Sequence, residues 1–312
     1  MKTLICGSMA YDTIMVFEDR FQHHILPEKI HSLSVAFLVP TMRREFGGTA
    51  GNIAYNLNLL GGNPAIMATV GHDFTEYQKR LDSLRISTQY IQQVNDNFTA
   101  QAFITTDLDD NQITAFHPGA MNFSHINQVE QADNVSFGVV SPDGKLGMIQ
   151  HANSFYQQKI PFLFDPGQGL PMFNGEELLN FIEQANYFAV NDYEAQLLVD
   201  KTGLSIEELA KKVDAAVVTR GAEGSTIYTD NELIHIPAVR ADNIVDPTGC
   251  GDAYRAGLIY GITHQWSWAK TGRLAALMGS IKIAHRGGQN HSLTTSEIAS
   301  LFNQYFNLDF YT

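Results

Sequence analysis

The sequence predicts an α/β fold, in which a mostly parallel central sheet carries helices on both faces and a small separate β-sheet forms a lid. Short apolar runs typical of buried strands alternate with helical patterns along most of the chain. Two stretches, residues 13–46 and 98–118, break this alternation. No repeat, low-complexity tract or Pro/Ser-rich linker interrupts the chain, so we expect a single domain over residues 1–312.

The predicted strands are apolar runs of five or six residues. They are TLICGS (3–8), AIMATV (65–70), VSFGVV (135–140), PFLFD (161–165), YFAVN (187–191) and AAVVTR (215–220). Runs of this length without alternating polar residues are typical of strands that are buried on both faces.

Helical patterns lie between many of these strands. They are AGNIAYNLNLL (50–60), GEELLNFIEQA (175–185), DYEAQLLVDKTG (192–203) and SIEELAKKV (205–213). Strands that alternate with helices predict right-handed crossovers and a parallel sheet. Ligands of such sheets bind at the carboxyl ends of the strands.

The two interrupting stretches differ from the rest. Residues 13–46 are apolar and irregular, whereas residues 98–117 read as two strands around the turn DLDDNQ (107–112). Together they predict a small sheet that closes over a site. An edge extension of the central sheet is the alternative.

Composition excludes several classes of protein. The 312 residues include 20 Lys plus Arg against 33 Asp plus Glu, a formal net charge of −13, which argues against a protein that coats nucleic acid or an anionic membrane. Two cysteines, Cys6 and Cys250, cannot build a disulfide framework or a four-thiolate zinc site. The start MKTLICGSMAYD fits a first strand better than a signal peptide, and no apolar run reaches membrane-spanning length. We expect a cytoplasmic protein.

The segment DPTGCGDAYRAG (246–257) predicts an anion site. Its glycine turn opens a helix, where unpaired backbone N–H groups and the helix dipole favour negative charge. Asp252 would lie beside a bound phosphate and could accept a proton. The alternative is a structural N-cap.

A second glycine turn, FGGTAGNIAYNLNLLGG (46–62), places Asn52 in the first turn of a helix. Its amide offers a donor and an acceptor, which suits a hydroxyl group. A purely structural turn is the alternative. Neither GxGxxG nor GxxxxGK[ST] occurs, so neither a dinucleotide fingerprint nor a P-loop is predicted.

Two shorter motifs follow strands. In NDYE (191–194), Asn191 and Glu194 lie three residues apart at a helix start and could reach hydrated magnesium, or could form a capping box. In TRGAEGS (219–225), a glycine turn between two strands suits a nucleotide phosphate, or is only a hairpin.

These four motifs in this order resemble the ribokinase-like (phosphofructokinase-B type) sugar and nucleoside kinases. The two family signatures correspond to residues 47–62 and 246–257, and the similarity runs from GSMAYD to GGQNH (287–291). The resemblance implies a ribokinase-like fold, ATP as phosphate donor, magnesium and a small-molecule acceptor. Phosphoryl transfer needs positioning and charge neutralisation more than covalent chemistry, and the motifs supply both.

The resemblance also implies roles for individual residues. Asp252 is the implied catalytic base, and the N–H groups of Gly249, Cys250 and Gly251 form the implied anion hole. Asn191 and Glu194 organise magnesium and phosphate. The acceptor hydroxyls are assigned to Asp12, Gly48 and Asn52, and the nucleotide to Thr219, Gly221, Gly224 and Asn290.

Three positions depart from the usual signature or extend it. Pro247 stands where Thr or Ser is usual, and Cys250 where Ala is usual. A helix-start cysteine can have a lowered thiol pKa, although burial as a small apolar residue is the favoured interpretation. Arg255 could approach a phosphate or face solvent.

The acceptor is less well specified. Phe103 and Phe116 in the lid, with Phe37 and Met42 in the earlier stretch, favour a flat base over a bare sugar, although an apolar lid interior is the alternative. The stretches around MRREFGG and AFITTDLDDNQITAFHPGAM are similar to those of bacterial adenosine kinases, so adenosine is the favoured acceptor. A free sugar, or a sensor that binds without turnover, stays open.

Two further expectations concern a cation and assembly. Carbonyl groups of DNIVDPTG (242–249) and of the GGQN turn (287–290) could hold a monovalent cation, so stimulation by potassium (K+) is expected. The lid strands could pair two chains into a homodimer, or the protein could be a monomer.

Overall fold

The computed structural model describes residues 1–25, 34–109, 111–230 and 232–311. Its strands are β1 Lys2–Cys6, β2 Ala10–Val16, β3 Thr41–Gly47, β4 Asn63–Val70, β5 Ser87–Gln93, β6 Ala100–Thr106, β7 Gln112–His117, β8 Val135–Val140, β9 Phe162–Phe164, β10 Tyr187–Asn191, β11 Ala215–Thr219, β12 Ser225–Thr229 and β13 Leu233–Ile236. Its α-helices are α1 Thr49–Leu59, α2 Thr75–Ser83, α3 Lys145–Gln157, α4 Gly175–Gln184, α5 Asp192–Thr202, α6 Ile206–Ala210, α7 Cys250–Thr263, α8 Trp268–Ile283 and α9 Thr295–Phe306. None of the helices in these ranges is long and apolar enough to span a membrane.

Nine strands form the central sheet, in the order β13-β12-β11-β10-β9-β8-β1-β4-β5. All pairings from β11 to β5 are parallel, and at the other edge β12 pairs antiparallel with both β11 and β13. The predicted mostly parallel sheet is therefore confirmed.

Side chains that alternate along each strand enter two separate cores. Ile5 of β1 packs into one core, whereas its neighbours Leu4 and Cys6 pack into the other. The first core includes side chains from α1, α2, α7, α8 and α9, and the second includes side chains from α3, α4, α5 and α6. Helices thus cover both faces, which explains why the strands are apolar throughout.

The carboxyl ends of the parallel strands converge on one edge of the sheet. Asp165 follows β9, Asn191 ends β10, and Thr219 ends β11 directly opposite Asn191 in the strand register. Helices α1 and α7 pack against each other, and both begin at glycine turns. This arrangement brings the predicted motifs to one crevice.

A separate four-stranded sheet, called the lid below, has the order β3-β2-β6-β7. Strands β2 and β3 lie in or next to residues 13–46, and β6 and β7 form the predicted pair within residues 98–117. The lid is a sheet of its own, so the edge-extension alternative is wrong. Residues 26–33 of the first stretch and Asp110 of the turn lie outside the described residues.

Two local predictions differ from the structure. The helix expected over residues 205–213 is α6, which ends at Ala210; Lys212 and Val213 donate to carbonyls only three residues back, in turns that lead into β11. The TRGAEGS segment joins β11 and β12 as an antiparallel hairpin, closed by a 2.7 Å hydrogen bond from Arg220 N to Gly224 O. The hairpin alternative for this motif is therefore the observed structure.

Candidate active site

The N-terminus of α7 forms a pocket of backbone N–H groups. Gly249 caps the helix with φ of +76°, and a Cβ there would lie 3.1 Å from the Cα of Gly288, so the position requires glycine. Cys250 N donates to Pro247 O at 3.1 Å. The N–H groups of Gly249 and Gly251 have no acceptor among the described residues. Of the three N–H groups predicted to form an anion hole, those of Gly249 and Gly251 are free to meet a ligand, whereas that of Cys250 closes the turn; a role of this turn toward an anion stays a prediction.

Asp252 lies in the first turn of α7 and is half-buried. Asn52 Nδ2 donates to Asp252 Oδ2 at 2.8 Å. Desolvation raises the pKa of Asp252 from 3.8 to about 7, against the lowering effect of the Asn52 hydrogen bond; Asp165 and Asp12 raise it further and Arg255 lowers it. A carboxyl group with this pKa can accept and release a proton near neutral pH.

Asn52 is held from its other side by a residue that the sequence did not single out. Gln289 Nε2 donates to Asn52 Oδ1 at 3.0 Å and to Tyr77 OH at 2.6 Å, and Tyr77 OH donates to Gly47 O at 2.8 Å. Because Gln289 fixes the amide oxygen, the Asn52 amide must point its NH2 group at Asp252. Gln289 and Tyr77 are buried, so this orientation is protected from water.

Asp12 of β2 lies across the crevice from α7. Its carboxylate is close to Gly47, where a Cβ would meet Asp12 Oδ2 at 2.4 Å. Desolvation, followed by repulsion from Asp246 and Glu45, raises the pKa of Asp12 to about 6. Gly48, with φ of +86°, packs against the backbone of Ser8 to Ala10. Of the three predicted acceptor residues, Asn52 therefore contacts Asp252, Asp12 lies close enough to raise its pKa, and Gly48 caps the helix that carries Asn52.

The NDYE motif forms the capping box that was the alternative to a magnesium site. Asn191 Oδ1 accepts from Glu194 N at 2.7 Å, and Glu194 Oε2 accepts from Asn191 N at 2.8 Å. Glu194 Oε1 has no hydrogen-bond partner in the described ranges, so the box and a role toward a ligand are compatible. Desolvation raises the pKa of Glu194, and Arg255 counteracts this effect.

Arg255 is buried, so of its two alternatives the solvent-facing one is wrong. Its Nε and Nη2 donate to Asp165 Oδ1 at 3.1 and 3.0 Å, and Nη2 donates to Ala189 O at 3.1 Å. The same Nη2 lies 3.9 Å from Glu194 Oε2. Arg255 therefore connects α7 to the capping box at the end of β10, which couples the two halves of the crevice.

The turn of Thr219, Gly221 and Gly224 lies beside this capping box. Thr219 Oγ1 donates to Val190 O at 3.4 Å, and both glycines have positive φ. Gly221 has open space where a Cβ would be. The backbone of this turn is accessible to a ligand, and its assignment to the nucleotide stays a prediction.

Asn290 contacts the lid. Its Nδ2 donates to Glu45 Oε2 of β3 at 2.7 Å and to Arg286 O at 2.9 Å. The predicted role of Asn290 toward the nucleotide base is not tested by these contacts.

The lid register separates the two candidate phenylalanines. Asp12 pairs with Ala102, which pairs with Phe116, whereas Thr13 pairs with Phe103. Paired residues share a face of a sheet. Phe116 therefore lies on the face that carries Asp12, and Phe103 lies on the opposite face, which corrects its assignment to the substrate.

The contacts of Phe37 and Met42 also differ from their predicted role, which was to contact a flat base. The ring of Phe37 packs against Phe17 and Phe21, with centroids 4.8 and 5.0 Å apart. Met42 pairs with Met15, which shares the lid face of Thr13 and Phe103, and is 67% exposed. For Phe37 the apolar-interior alternative is the observed one.

Burial raises the pKa of the Cys250 thiol to about 11. Lys282 opposes the shift, but desolvation is larger. The thiol is therefore protonated at neutral pH, and the idea of an activated cysteine is wrong.

The resemblance implies a magnesium ion, so the site must offer oxygen atoms that can bind one. No group of three or more His, Cys, Asp or Glu side chains within the described part of the chain is arranged to hold a metal. Glu194 nevertheless keeps a free oxygen, Oε1, beside the turn at Thr219. This donor set fits magnesium that keeps most of its water and phosphate ligands, as magnesium commonly does with nucleotides.

Sequence reasoning missed several residues that complete the site. They are Tyr77, Asp165, Asp246, Lys282 and Gln289. A signal existed for Asp165, since it ends the apolar run PFLFD at the carboxyl end of a strand. Asp246 and Gln289 lie inside the quoted segments DPTGCGDAYRAG and GGQNH, whereas Tyr77 and Lys282 have no local signal, because they bond to Gln289 and Asp246, which lie far away in the sequence.

Comparison with known proteins agrees with the resemblance that the sequence motifs indicate. The sequence model of pfkB family carbohydrate kinases matches residues 9–295. A nucleoside kinase of Methanocaldococcus jannaschii is 31% identical over 282 residues, which cover 89% of this chain and 92% of the relative. A nucleoside kinase of Burkholderia thailandensis, solved in complex with inosine, is 55% identical with a TM-score of 0.91 over 98% of this chain and 99% of that one. The same enzyme in complex with ADP-inosine has 55% identity and a TM-score of 0.88, over 98% of this chain and 97% of that one.

Proposed function

The chain belongs to the pfkB family of carbohydrate kinases, and on this premise we propose that it is an ATP-dependent nucleoside kinase. It transfers the γ-phosphoryl group of ATP to the 5′-hydroxyl of a purine nucleoside, with adenosine and inosine as acceptors. The observation that carries the proposal is Asp252, held by Asn52 at the N-terminus of α7 with its pKa raised to about 7.

The proposed reaction uses this geometry directly. Asp252 accepts the proton of the 5′-hydroxyl while that oxygen bonds to the γ-phosphorus. The bond from the γ-phosphorus to the β–γ bridging oxygen breaks, and ADP leaves with the electron pair. The N–H groups of Gly249 and Gly251, with the dipole of α7, stabilise the charge on the transferred group.

The chain's own residues position both reactants. Asp12 and Asn52 bind ribose hydroxyls, and the turn at Thr219 to Gly224 receives the nucleotide phosphates. Magnesium bound near Glu194 would neutralise phosphate charge. Asp165 and Arg255 hold α7 in register with β9 and β10.

A nucleoside is favoured over a free sugar by two kinds of support. The relatives of highest identity reported above are nucleoside kinases, one of which was solved with inosine. In addition, Phe116 offers an aromatic surface on the face of the lid that carries Asp12, and it is 51% exposed.

The other face of the lid supports a proposal for the assembly of this chain. Met42, Phe103 and Ile113 are 67%, 39% and 43% exposed, and all three lie on the face opposite Asp12. The proposal includes a homodimer through this face, since exposed apolar side chains on a small sheet favour burial against a partner. Light scattering of the wild type and of Phe103→Ser tests it: a wild-type monomer would contradict the dimer.

The function is tested by release of ADP with a panel of acceptors, namely adenosine, inosine, guanosine, ribose and fructose. Asp252→Asn protein is the blank. Turnover on purine nucleosides and not on sugars supports the proposal. Turnover on a sugar alone would show that the acceptor is a sugar and not a nucleoside. Binding of adenosine without any turnover would show that the protein is a sensor.

A further inference from the structure

Lys282 lies in the last turn of α8 and is buried, with 0% of its surface exposed. Lysine is almost never fully buried unless its charge has partners. Its position is notable because the two segments expected to hold potassium, residues 242–249 and 287–290, flank the end of this helix. Desolvation lowers the pKa of Lys282, against the nearby acidic groups of Cys250, Asp246 and Asp252.

The partners of the ammonium group are main-chain carbonyls from these two neighbourhoods. Lys282 Nζ donates to Asp246 O at 2.8 Å and to His285 O at 2.9 Å. Asp246 begins the DPTGCGD turn, and His285 precedes the GGQN turn. One positive charge therefore joins both segments.

Other hydrogen bonds make the arrangement rigid. Asp246 Oδ2 accepts from Gly287 N at 2.8 Å, and Asp246 Oδ1 accepts from Thr248 N at 2.9 Å. The backbones of Val245 and Asp246 both donate to Ile283 O. Carbonyl oxygens that converge on a cation replace its hydration shell, whether the cation is potassium or an ammonium group.

We propose that the ammonium group of Lys282 is the built-in monovalent cation of this site, so that phosphoryl transfer by this chain does not require potassium. Asp246 O and His285 O point at Nζ, and a second cation cannot share them without displacing it. This proposal takes the place of the expectation, made from the sequence, that potassium stimulates the reaction. This inference rests on the proposed kinase function for its activity readout.

Lys282 acts through the main chain, as a positioning residue. It holds Asp246 and His285, and through them the turns that contain Gly249 and Gly288, whose Cα lies against Gly249. A shift of the anion hole by about 1 Å can cost on the order of 100-fold in rate.

The test compares wild type, Lys282→Ala and the control Lys270→Ala. Lys270 lies on the same helix, but its Nζ donates to Phe310 O at 3.1 Å. Turnover of adenosine and inosine with ATP and magnesium is measured at constant ionic strength in the chlorides of potassium, ammonium, lithium and tetramethylammonium.

We expect the wild type and Lys270→Ala to have equal rates in all four salts. Lys282→Ala should lose about 10-fold or more in tetramethylammonium and regain activity in potassium or ammonium, but not in lithium. Selective recovery by cations of the right size distinguishes a replaced charge from general structural damage. Wild-type rates that rise several-fold with potassium would overturn the proposal, as would a Lys282→Ala rate unchanged in tetramethylammonium or a loss that no cation restores.

Melting temperatures without substrates give a readout that does not depend on the reaction. Potassium in place of tetramethylammonium should stabilise Lys282→Ala and leave the wild type unchanged; a shift of the wild type alone would overturn the inference. If Lys282→Ala does not fold, the wild-type comparison decides. If no acceptor is phosphorylated, the proposed function fails while the melting experiment still tests Lys282.

Discussion

The pH dependence of turnover follows from the surroundings of Asp252. A base must be ionised to accept the 5′-hydroxyl proton, and desolvation raises the pKa of this carboxyl group from 3.8 to about 7. Asp12, with a pKa of about 6, lies close enough to repel it. The pH midpoints of turnover are therefore expected to belong to this pair of carboxyl groups.

The expected size of the effect can be worked out from these values. With a pKa of about 7, roughly a tenth of Asp252 is ionised at pH 6 and roughly nine-tenths at pH 8, so kcat/KM should rise about tenfold between them. Asn52→Leu removes the 2.8 Å hydrogen bond to the carboxylate. A bond to a charged group contributes about 1.5–3 kcal/mol, so the midpoint should move up by about 1–2 pH units.

The assay is the initial rate of ADP release at low nucleoside concentration and saturating ATP and magnesium, from pH 5.5 to 9. The residual rate of Asp252→Asn serves as the control for titration of ATP itself. A flat wild-type profile over this range would refute the assignment of Asp252 as the base. A downward shift of the pH midpoint of turnover in Asn52→Leu would refute this assignment as well.

Four further outcomes follow from the same geometry. Because the folded-state pKa of Asp252 is raised above 3.8, the stabilising contribution of this carboxyl group is present below pH 4 and is lost as the pH rises through about 7. Asp252→Asn should therefore melt at a higher temperature than the wild type at pH 8. Equal melting temperatures at pH 8 would contradict the raised pKa. Gly249→Ala, with φ of +76° and Gly288 Cα at 3.1 Å, should lose turnover by about 100-fold and should also melt lower, because strain at this φ costs about 1–3 kcal/mol; normal turnover would show that the turn tolerates a side chain. Arg255→Met leaves Asp165 buried without its partner and should lower the free energy of unfolding in urea by about 3–5 kcal/mol, whereas a loss below 1 kcal/mol would contradict a tight ion pair. Phe116→Ala should raise KM for the nucleoside and not for ATP, with Phe103→Ala as the control that leaves both KM values unchanged; the reverse pattern would overturn the lid register.

Much of the fold could be predicted because local patterns carry it. Apolar runs such as VSFGVV and AAVVTR are strands because both sheet faces are covered, and the turn before α7 needs glycine at a positive φ. Helix α6 was predicted too long, since its pattern did not reveal the tight turns after Ala210.

The site was predictable only in part. Motifs with several residues in one segment, such as DPTGCGD and NDYE, identified Asp252 and Glu194. The side chains that hold them come from distant segments: Gln289 bonds to Asn52 across 237 positions and Arg255 to Asp165 across 90. Which face of the lid carries Phe103 depended on strand register, which the separate strands do not specify.

In the proposed reaction this chain transfers a phosphoryl group to a nucleoside 5′-hydroxyl, with Asp252 as the base. Phosphorus NMR of a reaction with adenosine, ATP and magnesium tests it most directly, with Asp252→Asn in parallel. We expect a nucleoside 5′-monophosphate signal that grows with ADP in equal amounts, at a rate at least about 100-fold lower in the variant. A phosphate on another hydroxyl, free inorganic phosphate alone, or an equal rate in Asp252→Asn would contradict it.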